Sequence, residues 1–298
     1  MESIQSKLQK FFFRVIRLNR MWKRTGEELR CYVENKQKKD RYEPPKSYYD
    51  RYEIKKCTVE RFPCYELKPR TGGGRKHIIF MHGGGYVLEI TSMHWEFIGK
   101  LIDRTQVGVT VPIYPLAPRY TYRDTMGMLQ ALYSELLTQH DPGDVIFAGD
   151  SAGGGMSLAF AMLLKEKGFA LPGQLILISP ALDMTFCNPE VSCVEKRDPI
   201  LATPAIVDCG KWYADNLNLK HYLISPLYGD VQGLCPIRLF TGTDDICNPD
   251  ARKFKAKAEA QGIAVDYYEY PEMLHVWPFF GLPESKQAVE QIVEAIEA

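Results

Sequence analysis

Short continuous apolar runs recur along the chain. Between them lie longer stretches whose apolar residues are spaced three and four apart. His77-Ile78-Ile79-Phe80-Met81, Val145-Ile146-Phe147-Ala148, Ile237-Arg238-Leu239-Phe240-Thr241 and Val265-Asp266-Tyr267-Tyr268-Glu269-Tyr270 read as strands. After the second run Met156, Phe160, Leu163 and Leu164 recur at helical intervals, as do Ala288, Val289, Ile292, Val293 and Ile296 near the C-terminus. A chain of 298 residues with such runs is long enough for one large α/β domain. From Glu53 to Leu67 two extended runs separated at Phe62-Pro63 predict an antiparallel hairpin, joined through Thr71-Gly72-Gly73-Gly74 to the strand at His77. The stretch from Leu8 to Val33 is basic, aromatic and helix-like. Its apolar residues Leu8, Phe12, Val15, Ile16 and Met21 are only loosely helical in spacing, and the charged run Asn35 to Arg41 follows.

One junction in this pattern carries chemistry. Gly149-Asp150-Ser151-Ala152-Gly153 sits where a strand passes directly into a helix. Gly-x-Ser-x-Gly at that place is a nucleophile elbow, a tight turn that pushes the serine hydroxyl clear of the sheet. A second motif, His82-Gly83-Gly84-Gly85-Tyr86, directly follows the run ending at Met81. Successive glycines leave backbone N–H groups unshielded, free to point at an oxyanion forming on a substrate carbonyl. The triple glycine at 72–74 differs, because no Gly-Lys-Ser/Thr follows it and Arg75-Lys76 leads into a strand; it reads as a surface turn.

With these two motifs the chain resembles the hormone-sensitive-lipase-like branch of the α/β-hydrolase esterases, which includes bacterial carboxylesterases and acetyl esterases. The resemblance runs from about Tyr52 to the C-terminus. It includes Tyr114-Pro115-Leu116-Ala117-Pro118, Ile178-Ser179-Pro180-Ala181-Leu182-Asp183, Ser225-Pro226-Leu227 and Thr241-Gly242-Thr243-Asp244, and the order of these segments is more specific than any one of them. It implies one α/β-hydrolase domain over residues 1–298, a mostly parallel central sheet flanked by helices, with a helical lid from about 1–50 and about 184–222.

A serine nucleophile needs a base and an acid. Of six histidines only His275 follows a late strand, in the loop Pro271 to Trp277, matching the order serine, acid, histidine of α/β-hydrolases. His275 is therefore the expected general base. The acid is expected after the run Ile237–Thr241, where two carboxylates stand side by side. The resemblance implies Asp244, since the family commonly has proline where Asp245 stands; Asp245 then reads either as a solvated loop residue or as a charge raising the His275 pKa. Asp250 and Glu269 are weaker alternatives. The N–H of Ala152 is expected to give one oxyanion donor, and the resemblance implies Gly84 and Gly85 as the others, with Gly83 shaping the loop and His82 bracing it. Asp150 is expected to fix the elbow by hydrogen bonding, and Tyr86 to line the pocket.

Composition narrows partners more than chemistry. Lys plus Arg equals Asp plus Glu at 37 each, so no charge field for nucleic acid is implied. Eight cysteines contain no Cys-x-x-Cys pair and no metal-ligand spacing, and read as reduced and structural. No stretch approaches the length of a membrane span. Phe11-Phe12-Phe13 is interrupted by Arg14 and Arg17, unlike a secretory signal, which points to the cytoplasm. For the N-terminal stretch three readings compete: a membrane-surface helix, a partner-binding arm, and the lid that the resemblance favours. The expected function is a serine carboxylesterase acting on short-chain esters through an acyl-enzyme, with no cofactor or metal. Deacetylation of an acylated sugar, amide or xenobiotic, and a non-catalytic small-molecule receptor, are the alternatives. The resemblance also allows a homodimer.

Overall fold

In the computed structural model, which describes residues 2–298, all eight strands join one sheet. The chain starts with helices α1 (Ile4–Val15), α2 (Gly26–Gln37) and the short α3 (Tyr48–Arg51). Strands β1 (Tyr52–Val59), β2 (Phe62–Pro69) and β3 (His77–Met81) follow. Next come α4 (Ser92–Thr105), β4 (Gly108–Pro112), α5 (Tyr122–Leu136), β5 (Val145–Asp150), α6 (Ser151–Glu166) and β6 (Gln174–Ile178). After an excursion containing α7 (Val191–Glu195) and α8 (Thr203–Ala214), the chain returns as β7 (Ile237–Gly242), α9 (Asn248–Ala260), β8 (Val265–Tyr270) and α10 (Pro283–Glu297).

The strand order is β1-β2-β4-β3-β5-β6-β7-β8, with β2 running opposite to the other seven strands. Alternation divides the central strands between two apolar layers. Ile79, Met81, Phe147, Leu175, Leu177 and Leu239 face the layer closed by α5 and α6. Ile78, Phe80, Ile146, Ile176, Ile178 and Phe240 face the layer closed by α4 and α10. Burial on both faces is why these strands read as unbroken apolar runs.

Two expectations shift. The hairpin turn lies at Glu60-Arg61, with φ of 50° and 78°, and Phe62 and Pro63 already pair with Val59 and Thr58. Two successive positive φ values suit the twist of a tight hairpin, and Pro63 still contributes its carbonyl, accepting from the Ile113 N–H at 3.0 Å. The stretch Leu8 to Val33 is not one helix. Arg17 adopts a left-handed conformation, φ 53°, so α1 ends at Val15 and a 3₁₀ turn, Leu18–Lys23, separates it from α2. Among the described residues no helix is long and apolar enough to cross a membrane.

Candidate active site

The strand ends set the site. Where β5 stops, Ser151 has φ 52° and opens α6, a conformation that L-residues hold only under constraint from their surroundings. Here the constraint is close backbone approach: a Cβ on Gly153 would stand 2.0 Å from the Met81 carbonyl oxygen. The Ala181 N–H in turn bonds the Ser151 carbonyl at 2.9 Å.

The glycine loop after β3 wraps onto this turn. The Gly83 N–H donates to Asp150 Oδ1 at 2.9 Å, so Asp150 clamps the loop against the elbow. His94 accepts the Thr91 N–H on Nδ1, which leaves its proton on Nε2, 3.4 Å from the same Asp150 oxygen. Gly84 and Gly85 have φ of 119° and 61°, values that favour glycine. Among the described residues none accepts from the N–H of Gly84 or Gly85. Ala152, in the first turn of α6, likewise has no intrahelical acceptor for its N–H. His82 lies behind this loop, fully buried, its Nδ1 2.7 Å from the Gly83 carbonyl and its ring stacked 4.3 Å from Tyr114. Burial and the nearby His94 push its pKa down to about 3, so it is neutral and acts through shape and hydrogen bonding.

His275 and the two adjacent aspartates come from the loops after β8 and β7, which are tied together by Asp244 N–H to Met273 carbonyl (3.0 Å) and Thr243 N–H to Tyr270 carbonyl (3.1 Å). The carboxylate facing His275 is Asp245, with Oδ1 2.9 Å from Nδ1. A carboxylate only accepts, so Nδ1 carries the proton and Nε2 is left as the basic atom. Burial disfavours the imidazolium, but the charge and hydrogen bond of Asp245, with Asp198 and Asp150 further off, outweigh it and raise the His275 pKa.

Asp244, the expected acid, does not face His275. Its Oδ2 takes a hydrogen bond from Lys10 Nζ and its Oδ1 one from Arg197 Nε, both at 2.9 Å. Burial works against its charge, yet these two cations hold its pKa below the usual carboxylate range. Asp244 thus joins α1, the excursion after β6 and the acid loop, and its side chain is committed away from His275.

Ser151, His275, Gly84, Gly85, Ala152 and Asp150 line one cavity of about 170 Å³. Trp22 from the N-terminal segment and Met184, Phe186, Ile200, Leu201 and Ile206 from the excursion close it. Tyr86, expected in this lining, is absent from it: the side chain is buried and its ring stacks on Tyr213 of α8 at 4.0 Å.

A family model described as alpha/beta hydrolase fold matches residues 78–279, more than half of the chain. The chain belongs to the α/β-hydrolase family. Within the family its relatives include esterases, acetyl-hydrolases and a lipase. It is 33% identical over 221 residues to an esterase of Acinetobacter venetianus, covering 73% of each chain. It is 31% identical over 237 residues to an acetyl-hydrolase of Streptomyces hygroscopicus, covering 78% of this chain and 77% of that one. The crystal structure of an esterase from the bacterial hormone-sensitive lipase family superposes with a TM-score of 0.84 at 26% identity, over 99% of this chain and 98% of that one. This α/β-hydrolase is thus of the hormone-sensitive-lipase-like esterase type.

Two buried side chains near the acid went unread in the sequence. Asp198, in the excursion after β6, accepts the Ile246 N–H at 3.2 Å on one oxygen and the N–H groups of Ile200 and Leu201 at 2.8 and 3.0 Å on the other. It braces the acid loop, and burial followed by the charge on Asp245 raises its pKa. The one local hint is an aspartate before Pro199, a turn-opening pair. Cys247 lines the cavity beside Asp245 and His275, and the three ligand-type atoms lie within 4.8 Å of one another. Two of the three are already joined by the acid–base hydrogen bond, and burial holds the thiol protonated.

Proposed function

We propose that this chain, a carboxylic ester hydrolase, works through the triad Ser151, His275 and Asp245 on short-chain esters. The observation that carries the reading is the Asp245–His275 hydrogen bond in the same cavity as a serine held at positive φ. Ser151 Oγ attacks the ester carbonyl carbon while its proton passes to His275 Nε2, and Asp245 stabilises the imidazolium without taking a proton. The N–H groups of Gly84, Gly85 and Ala152 receive the oxyanion. Collapse of the tetrahedral intermediate expels the alcohol, protonated by His275, and leaves an acyl-serine. Water, deprotonated by the same histidine, then releases the acid. The chain's own groups suffice for every step.

The described part of the N-terminal segment, to about residue 50, and about 184–222 act as the lid of a single α/β-hydrolase domain; Trp22, Phe186 and Ile206 support this, since both segments reach the cavity. A cavity of about 170 Å³ favours short acyl chains. Eight free thiols fit a cytoplasmic location. The acetyl-hydrolase relative favours a second reading, removal of an acetyl group from a small metabolite. The complete acid–base–nucleophile set argues against a receptor without turnover.

The test is hydrolysis of p-nitrophenyl esters from acetate to laurate, beside the Ser151→Ala protein. The expected result is a rate highest on the shortest chains and lost in the variant by about 10⁴-fold or more. Turnover that survives in Ser151→Ala, or none by the folded wild type on any ester, would overturn the proposal; hydrolysis of N-acetyl substrates alone would favour the second reading.

A further inference from the structure

Helix α1 is built inside out. The side turned to the protein is polar: Ser6 and Lys10 are buried, and Lys10 Nζ reaches Glu2 at 2.8 Å and Asp244 at 2.9 Å. The opposite side is apolar. Ile4, Leu8, Phe11, Phe12 and Val15 fall on one face at helical spacing, and they are 74%, 63%, 65%, 57% and 61% exposed. Ile16 and Leu18 extend the row. These seven are most of the ten large apolar side chains exposed among the described residues, so the apolar surface is concentrated on one element. A contiguous patch of this kind marks an interaction site.

Charge identifies the partner. Between Ile4 and Lys23 the sequence has six Lys or Arg and no Asp or Glu, in a chain whose total charge is zero. Lys10 is turned inward; Lys7, Arg14, Arg17, Arg20 and Lys23 are exposed. Read as one stretch to Val33, the segment mixes these cations with the acids of α2. The break at Arg17 and the 3₁₀ turn separate them. A second copy of the chain seated on this face through the same face would set cations against cations. A phosphate-bearing surface would complement them.

We infer that α1 and the turn after it form a docking face for an anionic lipid bilayer. The apolar row enters the boundary between headgroups and acyl chains, and the flanking cations meet lipid phosphates, as in helices that lie in the plane of a membrane surface. The inner side of the same segment reaches the site: Lys10 bonds Asp244, and Trp22 lines the cavity. Docking therefore sets the covered end of the cavity against the lipid. The binding itself does not depend on the esterase reading.

The test is flotation of the full chain with vesicles of phosphatidylcholine containing about one-third phosphatidylglycerol, and with vesicles of phosphatidylcholine alone. The wild type should float with the anionic vesicles, less so at high salt, and not with the neutral ones. A Leu8→Gln/Phe11→Gln/Val15→Gln variant and a Lys7→Gln/Arg17→Gln/Arg20→Gln variant should each lose about tenfold or more of this binding. All six positions are exposed, so melting curves should stay superimposable, and the cation variant decides the matter if the apolar one misfolds. Absence of wild-type flotation, or flotation equal in wild type and both variants, would overturn the inference. So would a wild-type dimer in sedimentation that the apolar variant converts to monomer while vesicles bind neither, which would assign the face to a second copy.

Discussion

On the sheet side of the cavity, positions follow mostly from the backbone. Gly153 lies against Met81, the Asp244 N–H bonds the Met273 carbonyl, and the Val276 N–H bonds Ser179 Oγ at 3.1 Å, so Ser151 and His275 are placed by strand register and loop-to-loop hydrogen bonds. On the covering side, positions follow from side chains. Lys10 and Arg197 converge on Asp244, Asp208 takes the Gly26 N–H at 3.2 Å, and Trp22 packs over Gly85. No strand runs through the cover. The two halves are thus held by different means, strand ends and loop-to-loop hydrogen bonds in the first and side-chain contacts in the second, with Asp198 of the excursion reaching across to the Ile246 N–H.

The adjacent carboxylates test this division most severely, because Asp245 belongs to the first half and Asp244 to the second. Asp245→Asn replaces the carboxylate charge with an amide whose NH2 can face Nδ1 and select the wrong His275 tautomer, and kcat/KM should fall about 10³- to 10⁴-fold. Asp244→Asn leaves His275 and its partner in place and should cost less than about tenfold. Steady-state kinetics on p-nitrophenyl acetate measures both. Equal losses would erase the distinction, and the reverse order would return the acid to Asp244.

That same pair marks where sequence reading ends. Ser151, His275 and the glycine loop are legible because each sits at the end of an apolar run, and strands buried on both faces advertise themselves. The acid loop has no such period. Which of two neighbouring side chains turns toward His275 is settled by Lys10 and Arg197, 234 and 47 residues away in sequence. Tyr86 was misplaced for a similar reason, since its partner Tyr213 lies on α8, in the excursion. In the N-terminal segment amphipathy is strong once α1 is cut at Val15, and the left-handed Arg17 that makes the cut has no glycine to announce it.

A smaller effect is the acid limb of activity. His275 must be neutral to accept the serine proton, and its pKa lies above the ordinary value of about 6.5. Thus kcat/KM should decline as pH falls through a pKa above about 6.5. In Asp245→Asn the main group raising it is gone while burial persists, so the residual activity should show this limb at lower pH. Stability runs the other way. A raised folded-state pKa contributes fully below the unfolded value of about 6.5 and is lost as pH rises through the folded one, so the pair stabilises most where activity is least. A flat pH–rate profile between pH 5 and 8, or a limb unmoved by Asp245→Asn, would detach His275 from the chemistry.

The smallest effect belongs to the covering half alone. Asp244→Asn removes one charge from a partly buried cluster and leaves Lys10 with Glu2 as its remaining carboxylate, which should cost about 1–3 kcal/mol of unfolding free energy at neutral pH. Its folded-state pKa is depressed, so this contribution is present above the unfolded value of about 3.9 and is lost as pH falls through the lower folded one. The gap between wild type and variant in denaturant unfolding should therefore be constant from pH 5 to 8 and close in stronger acid. If the cover shapes the cavity and nothing more, KM should rise for the longer esters while kcat on acetate stays close to wild type. A fall in kcat on acetate with KM unchanged would mean that Asp244 holds the Asp245 loop in register, and the line between the two halves would have to be drawn on the other side of Asp244.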